Sequence, residues 1–243
     1  MSETTDFTVI PALDLKGGGV VQARGGDRIN YQPIETPLGR ADDPFAIARG
    51  LLALTQSPSL YVADLDAIEG TGNNYALCRD LSHALPGTDL WIDAGFSNVT
   101  DCAFYLPLGA TLVIGTESLP SIDNWHELRD AFGDTLVLSL DFAEEARGPE
   151  PLFEDGSLWP RKVVVMSLKR VGTGGGPDLE RTEAALEKSD GGAVYASGGV
   201  RSIADLDALA DAGAAGALIA SALHAKAIGE NEIAAFLRRR RSR

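Results

Sequence analysis

Two stretches of the chain, GFSNVTDCAFYLPLGATLVIGTESL at residues 95–119 and GVRSIADLDALADAGAAGALIASAL at residues 199–223, can be laid over each other with at most a one-residue slip. In each, a glycine turn leads into a helical stretch, a Gly-Ala turn, a short apolar run and a small or hydroxyl-bearing residue. VIPALDLK at residues 9–16 lies in the same way over VLSLDFAE at 137–144, which brings Asp14 over Asp141. Self-similarity on this scale marks a chain built from two related halves. The boundaries expected are about 7–132 for the first half and 133–237 for the second, with a basic tail at 238–243, all within one domain spanning 1–243.

Working outward, the apolar runs FTVIPAL, SLYVADL, LWIDA, TLVIGT, TLVLSL, KVVVMSL, AVYAS and GALIAS are too short for helices. Their apolar character is continuous rather than alternating, as strands covered on both faces require. Between them lie stretches of helical period, clearest at Asp43–Leu54, Asn73–Leu85, Ser121–Phe132, Asp178–Lys188 and Ile203–Ala212, several opening on a capping Asp, Asn or Ser. Eight strands alternating with helices in 243 residues predict a single α/β domain, a (β/α)8 TIM barrel with a half-barrel internal repeat.

The net charge of −14 opposes a nucleic-acid backbone as partner. The RRRRSR tail reads as a solvated helix end, where cations complement the helix dipole. Cys78 and Cys102 read as small core residues in a reducing compartment. No leader pattern or apolar window of membrane-spanning length is present, so a cytoplasmic location is expected. His83, His126 and His224 stand singly, and no metal site is readable.

In a barrel, strands one and five stand opposite each other and their carboxyl ends face the substrate mouth. Asp14 and Asp141 would therefore flank one cavity, as a general acid and general base do. Gly198 and Gly199 end strand seven before a helix N-terminus, and Ala220 and Ser221 end strand eight, so these four form a candidate phosphate seat. In the first half Gly95, Gly115 and Thr116 hold the matching places, but Asp93 puts a carboxylate beside them. The glycine-rich loops after strands one and six carry Lys16, Arg24, Arg28, Lys169 and Arg170, candidates to neutralise an anionic substrate under closing loops. Lys169 could also form a Schiff base, although SLKR reads equally as a strand end emerging into solvent. VGTGGG lacks the Lys-Ser or Lys-Thr of a Walker loop.

PALDLKGG, the DLD of Asp64–Asp66, the VGT turn at Val171–Thr173 and SGGVRS at Ser197–Ser202 resemble the HisA/HisF family of histidine biosynthesis, and its isomerase branch more closely. The resemblance spans nearly the whole chain. It implies a cofactor-free Amadori rearrangement of an aminoaldose to an aminoketose. Asp141 would protonate the ring oxygen, Asp14 would remove the neighbouring proton, and Gly198, Gly199, Ala220 and Ser221 would hold a phosphate. Gly172, Thr173, Lys16 and Asp64 join the candidate substrate ligands by the same resemblance.

The chain departs from the family where a Gly-Gly-Gly-Ile-Arg loop would follow strand three, which here reads Asp93-Ala94-Gly95-Phe96-Ser97. It departs again in Met166 or Ser167 for a threonine, and in Val171 for the acid of a DGT turn. The isomerase reading therefore covers either the histidine-pathway enzyme itself or, as these changes suggest, a paralogue that kept one phosphate site and acts on a smaller, singly phosphorylated sugar, with coenzyme biosynthesis one setting. Pro11, Ala12 and Leu13 disfavour the cyclase branch, which would need a glutaminase partner. A Schiff-base aldolase using Lys169 and a non-catalytic phosphometabolite-binding protein are the remaining alternatives.

Overall fold

The computed structural model describes residues 7–241, so the first six residues of the leader reading and the last two of the tail fall outside it. Eight parallel strands form a closed ring: β1 Thr8–Lys16, β2 Ser59–Asp64, β3 Asp89–Asp93, β4 Thr111–Gly115, β5 Val137–Phe142, β6 Lys162–Ser167, β7 Ala193–Ser197 and β8 Gly216–Ile219. Closure comes from β8 pairing with β1, Thr8 against Gly216 through Pro11 against Ile219. A principal helix follows each strand: α1 Pro44–Thr55, α2 Tyr75–Ala84, α3 Val99–Tyr105, α4 Ile122–Phe132, α5 Pro151–Glu154, α6 Leu179–Lys188, α7 Ile203–Ala212 and α8 Glu230–Arg241, with further single turns at Leu65–Ile68 and Ser221–His224. The strands expected from apolar runs and the five expected helices all stand within a few residues of their predicted positions.

Alternation along each strand divides the core in two. Outward residues such as Val9, Leu13, Leu138 and Leu140 pack under the helices. Inward residues, among them Ile10, Ala12, Tyr61, Trp91, Val137, Val164 and Tyr195, fill the barrel. Trp91 and Tyr195 meet edge to face with ring centroids 5.1 Å apart, an arrangement that stabilises by about 0.5–1.5 kcal/mol beyond the area it buries. Period two then settles where the carboxylates go. Asp14 lies two residues past Ala12, Asp93 two past Trp91 and Asp141 four past Val137, so all three lie on the inward face at the carboxyl ends of their strands.

The two overlaid stretches also share their capping. Asn98 and Ser202 accept from the N–H groups of Asp101 and Asp205 at the starts of α3 and α7. Each aspartate in turn accepts from the residue before the cap, Ser97 or Arg201. Such a cap contributes about 1 kcal/mol and fixes the angle at which each helix leaves its glycine turn.

Two expectations change. The segment after β1 is not a loose loop: Gly19–Gln22 pairs antiparallel with β1 and with Gln32–Pro33, and Val20 and Val21 are buried. α5 is a single turn, because Gly148, Pro149, Pro151, Gly156 and Pro160 interrupt the segment. The indoles of Trp125 and Trp159 hold it in place by donating to Leu158 O and Leu152 O. Among the described residues no helix is long and apolar enough to cross a membrane.

The basic tail is more than a solvated helix end. Arg240, its side chain only 12% exposed, pairs with Asp207 and Asp211 of α7 and lies over the Phe236 ring. It therefore fastens α8 to α7. Replacing Arg240 by Met should lower the unfolding free energy by about 1–2 kcal/mol, since both aspartates remain partly in water. Denaturant titration measures this, and an unchanged midpoint would show the pairing to be stability-neutral.

Candidate active site

A cavity of about 360 Å³ opens at the carboxyl ends of the strands. Its acidic wall is made of Asp14, Asp93, Glu117 and Asp141, with Arg28 reaching in from the segment after β1. The rest of its lining includes glycine-rich backbone: Gly172 to Gly174 after β6, Gly198 to Val200 after β7, and Ala220 to Ala222 after β8.

Asp141 is held from three directions. Its carboxylate accepts from the Ser139 hydroxyl at 2.7 Å and from the Glu117 N–H at 3.0 Å, and its own N–H donates to the Thr116 hydroxyl at 2.9 Å. Burial, followed by the nearby charges of Glu117 and Asp93, pushes its pKa up to about 8. Burial also raises Asp14, to about 7, but there the neighbouring charge is Arg28, which opposes the shift. Asp93 rises to about 6 by burial, against the pull of the Gly95 N–H at 3.1 Å and the Tyr61 hydroxyl at 3.1 Å. Arg28 is ion-paired to Glu117 across the mouth, with Arg147 3.6 Å from the same carboxylate. One cation thus stands toward Asp14 and one anion toward Asp141.

The glycine wall can exist only as glycine. A Cβ at Gly199 would fall 2.0 Å from Gly176 O, and one at Gly198 2.6 Å from Ser167 O, and both residues have positive φ. Gly172 likewise passes so near Ala23 that a Cβ would meet its carbonyl at 2.2 Å. The Gly25 N–H donates to Val171 O at 2.7 Å, so the segments after β1 and β6 are clasped to each other. The N–H groups of Gly199, Val200 and Ser221 meet no main-chain acceptor among the described residues. They belong to residues of the cavity wall, as an anion seat requires.

Of the residues singled out in the sequence, Asp14, Asp141, Gly198, Gly199, Ala220, Ser221, Gly172, Thr173 and Arg28 come together on this cavity. Others stand outside it, several with a structural task. Lys16 pairs with Glu69 at 2.7 Å and donates to Arg28 O at 2.8 Å, so it positions the arginine segment rather than facing the cavity. Fully buried Asp64 accepts from the main-chain N–H and side-chain amide of Asn74 and from the Ala67 N–H. It thereby builds the turn after β2.

Thr116 is buried and spent on the Asp141 N–H. Gly95 is required by packing, since a Cβ there would lie 2.9 Å from Ile68 Cα, and Gly115 because one would lie 2.9 Å from the Asp141 carboxylate. Arg24 and Lys169 are exposed and outside the cavity lining. An exposed Lys169 gives the Schiff-base reading no support. Arg170 is engaged by Asp178 at 3.3 Å. Met166, not Ser167, faces the cavity, and Val171 lines it.

Cys78 and Cys102 are buried and free. His83 and His126 are exposed, while His224 is buried, which lowers its pKa to about 4. Glu117, Tyr61 and Arg201 are cavity residues that the sequence reading passed over. The offset of 104 residues that superposes the two repeats sets Glu117 on Ser221, a signal that could have found it.

Residues 8–229 match the family described as "Histidine biosynthesis protein". The chain belongs to this family. Its relatives include a 1-(5-phosphoribosyl)-5-((5-phosphoribosylamino)methylideneamino)imidazole-4-carboxamide isomerase of Gemmatimonas aurantiaca, 31% identical with 93% of this chain and 97% of the relative covered. The enzyme of the same name from Rubrobacter xylanophilus is 32% identical, with 92% and 94% covered. An uncharacterized protein of Methanocaldococcus jannaschii is 25% identical, with 93% and 96% covered. Matches this long place the barrel and its mouth within the family's extent.

Three carboxyls with native pKa values above the unfolded one make folding take up protons. Their contribution to stability is full below the unfolded value of about 4 and is lost as the pH climbs through about 6 to 8. Asp141→Asn keeps the shape without the charge. Relative to the parent it should gain stability between about pH 4 and about pH 8, by on the order of 5 kcal/mol. Chemical denaturation across this range decides, and parallel pH profiles of the two proteins would contradict the raised pKa.

Proposed function

We propose that this family member is an isomerase that converts an aminoaldose phosphate to the aminoketose, using Asp141 as general acid and Asp14 as general base. The observation that carries the reading is the placement of a half-buried carboxyl, Asp14, and a buried one, Asp141, on opposed strands around one cavity, with a guanidinium near the first and a carboxylate near the second. Such a pair divides into acid and base near neutral pH because its surroundings differ. The isomerase names of the relatives support the same reaction class.

The steps follow from the groups in place. Phosphate bound by the main-chain N–H groups around Gly198, Gly199, Ala220 and Ser221 fixes one end of the sugar. Asp141 gives its proton to the ring oxygen as the C–O bond breaks, and the amine lone pair forms the iminium. Asp14 takes the proton from the adjacent carbon, leaving the electron pair in the enolamine double bond. Return of a proton to the first carbon and loss of the enol proton give the ketone. The rearrangement balances by proton transfers alone, so it calls for no external oxidant or reductant.

The test is turnover of two substrates: the bis-phosphorylated compound named for the relatives, and a ribosylamine monophosphate formed from ribose phosphate and an amine. With whichever turns over, Asp14→Asn and Asp141→Asn should each lose about 10² or more in kcat. In the parent the rate should rise as Asp14 ionises near pH 7 and fall as Asp141 ionises near pH 8. Near-parental rates in either variant would remove that residue from the chemistry. Absence of turnover by a folded parent on both substrates would contradict the reading.

A further inference from the structure

The two halves of the barrel present different faces to a ligand, although their sequences superpose. In the second half, the N–H groups of Gly199, Val200 and Ser221 meet no main-chain acceptor among the described residues and are open to a ligand. In the first half, the N–H groups at two of the superposed places are already taken. The Gly95 N–H donates to Asp93 and the Glu117 N–H donates to Asp141, both carboxylates of the cavity wall. Gly95 itself is explained by its closeness to Ile68, with no ligand needed.

The cation at this end is committed as well. Arg28 is bound to Glu117, and Lys16 holds the Arg28 carbonyl while pairing with Glu69. An anion that drew Arg28 away would leave Glu117, its side chain only 14% exposed, with Arg147 at 3.6 Å as its remaining partner. That anion would also face Asp93, which is 8% exposed and lines the same wall. Like charges set together across a binding site act as a filter against the wrong ligand. What these carboxylates offer is acceptor lone pairs, and a group bearing N–H or O–H donors satisfies them.

We infer that the substrate carries a single phosphate, seated on the loops after β7 and β8, and that its far end, beside Asp93 and Glu117, presents amine or hydroxyl donors and no second phosphate. The inference rests on the reading of this cavity as the substrate site, and it names the substrate class for that site. Asp93 and Glu117 are then specificity-determining residues. A site with carboxylates placed to pair with donors rejects a ligand that lacks them, because the acceptors are left unpaired.

Isothermal titration of the full chain with straight-chain alkyl monophosphates tests this without requiring turnover. The probes differ only at the far end, which is a methyl, a hydroxyl, an ammonium or a second phosphate, each at several chain lengths. The ammonium- or hydroxyl-ended ester should bind about tenfold or more tighter than the methyl-ended one, and the bisphosphate no tighter than the methyl-ended one. The two donor arms show whether charge or hydrogen bonding sets the preference. In Asp93→Asn combined with Glu117→Gln the ammonium advantage should disappear while the methyl-ended ester binds as before, which also reports that the cavity is intact.

A bisphosphate that binds tightest would show Arg28 taking a second phosphate and would overturn the inference. Equal affinity for all four ends would overturn it too. Binding by none of the esters would remove the phosphate seat and the inference together. The predicted order of affinities with no isomerase turnover would sink the proposed reaction and leave this substrate class standing.

Discussion

The structure turns on the cost of keeping a carboxylate charged inside a barrel. Parallel strands covered on both faces send every second residue inward, and at the carboxyl ends of β1, β3 and β5 that residue is an aspartate. Water is largely displaced there, so all three are pushed toward the neutral form. What separates them is the Arg28–Glu117 ion pair across the mouth. Its guanidinium favours the charged form of Asp14, and its carboxylate opposes the charged form of Asp141. A symmetric scaffold thereby receives an asymmetric field, which an acid and a base acting on opposite sides of one substrate require.

The parts legible in the sequence were those that short-range pattern encodes. Continuous apolar runs gave the eight strands, and the overlaid repeats brought Asp14 and Asp141 to matching ends. Contacts between distant segments were not legible. Arg28 and Glu117 are 89 residues apart, and nothing local to either says that they meet. Lys16 and Asp64 have the residue types of ligands, yet Glu69 and Asn74 claim them, and only the folded loops bring those partners near. Arg240 read as a solvated charge because its aspartates lie on another helix. The loop after β1 read as mobile because its glycines mask a hairpin whose valines are buried.

Membership of the histidine biosynthesis family accounts for the barrel, while at the mouth the first half of this chain differs from its own second half. Where the second half leaves N–H groups open, the first half fills the matching donors with its own carboxylates. The difference between the two halves is local. It sits in Asp93 and Glu117 at the ends of β3 and β4, and it leaves the loops after β7 and β8 untouched. One end of the cavity can thus change its preferred ligand while the opposed aspartates keep their geometry.

The central claim is that burial and the Arg28–Glu117 pair hold the mouth carboxyls in different protonation states near neutral pH. Carbon-detected NMR titration of the aspartate carboxyls, assigned with single Asp→Asn variants, tests it most directly. The account predicts that Asp93 titrates lowest, near about 6, Asp14 near about 7 and Asp141 highest, near about 8. Titration of all three in the ordinary carboxylate range around 4 would contradict it.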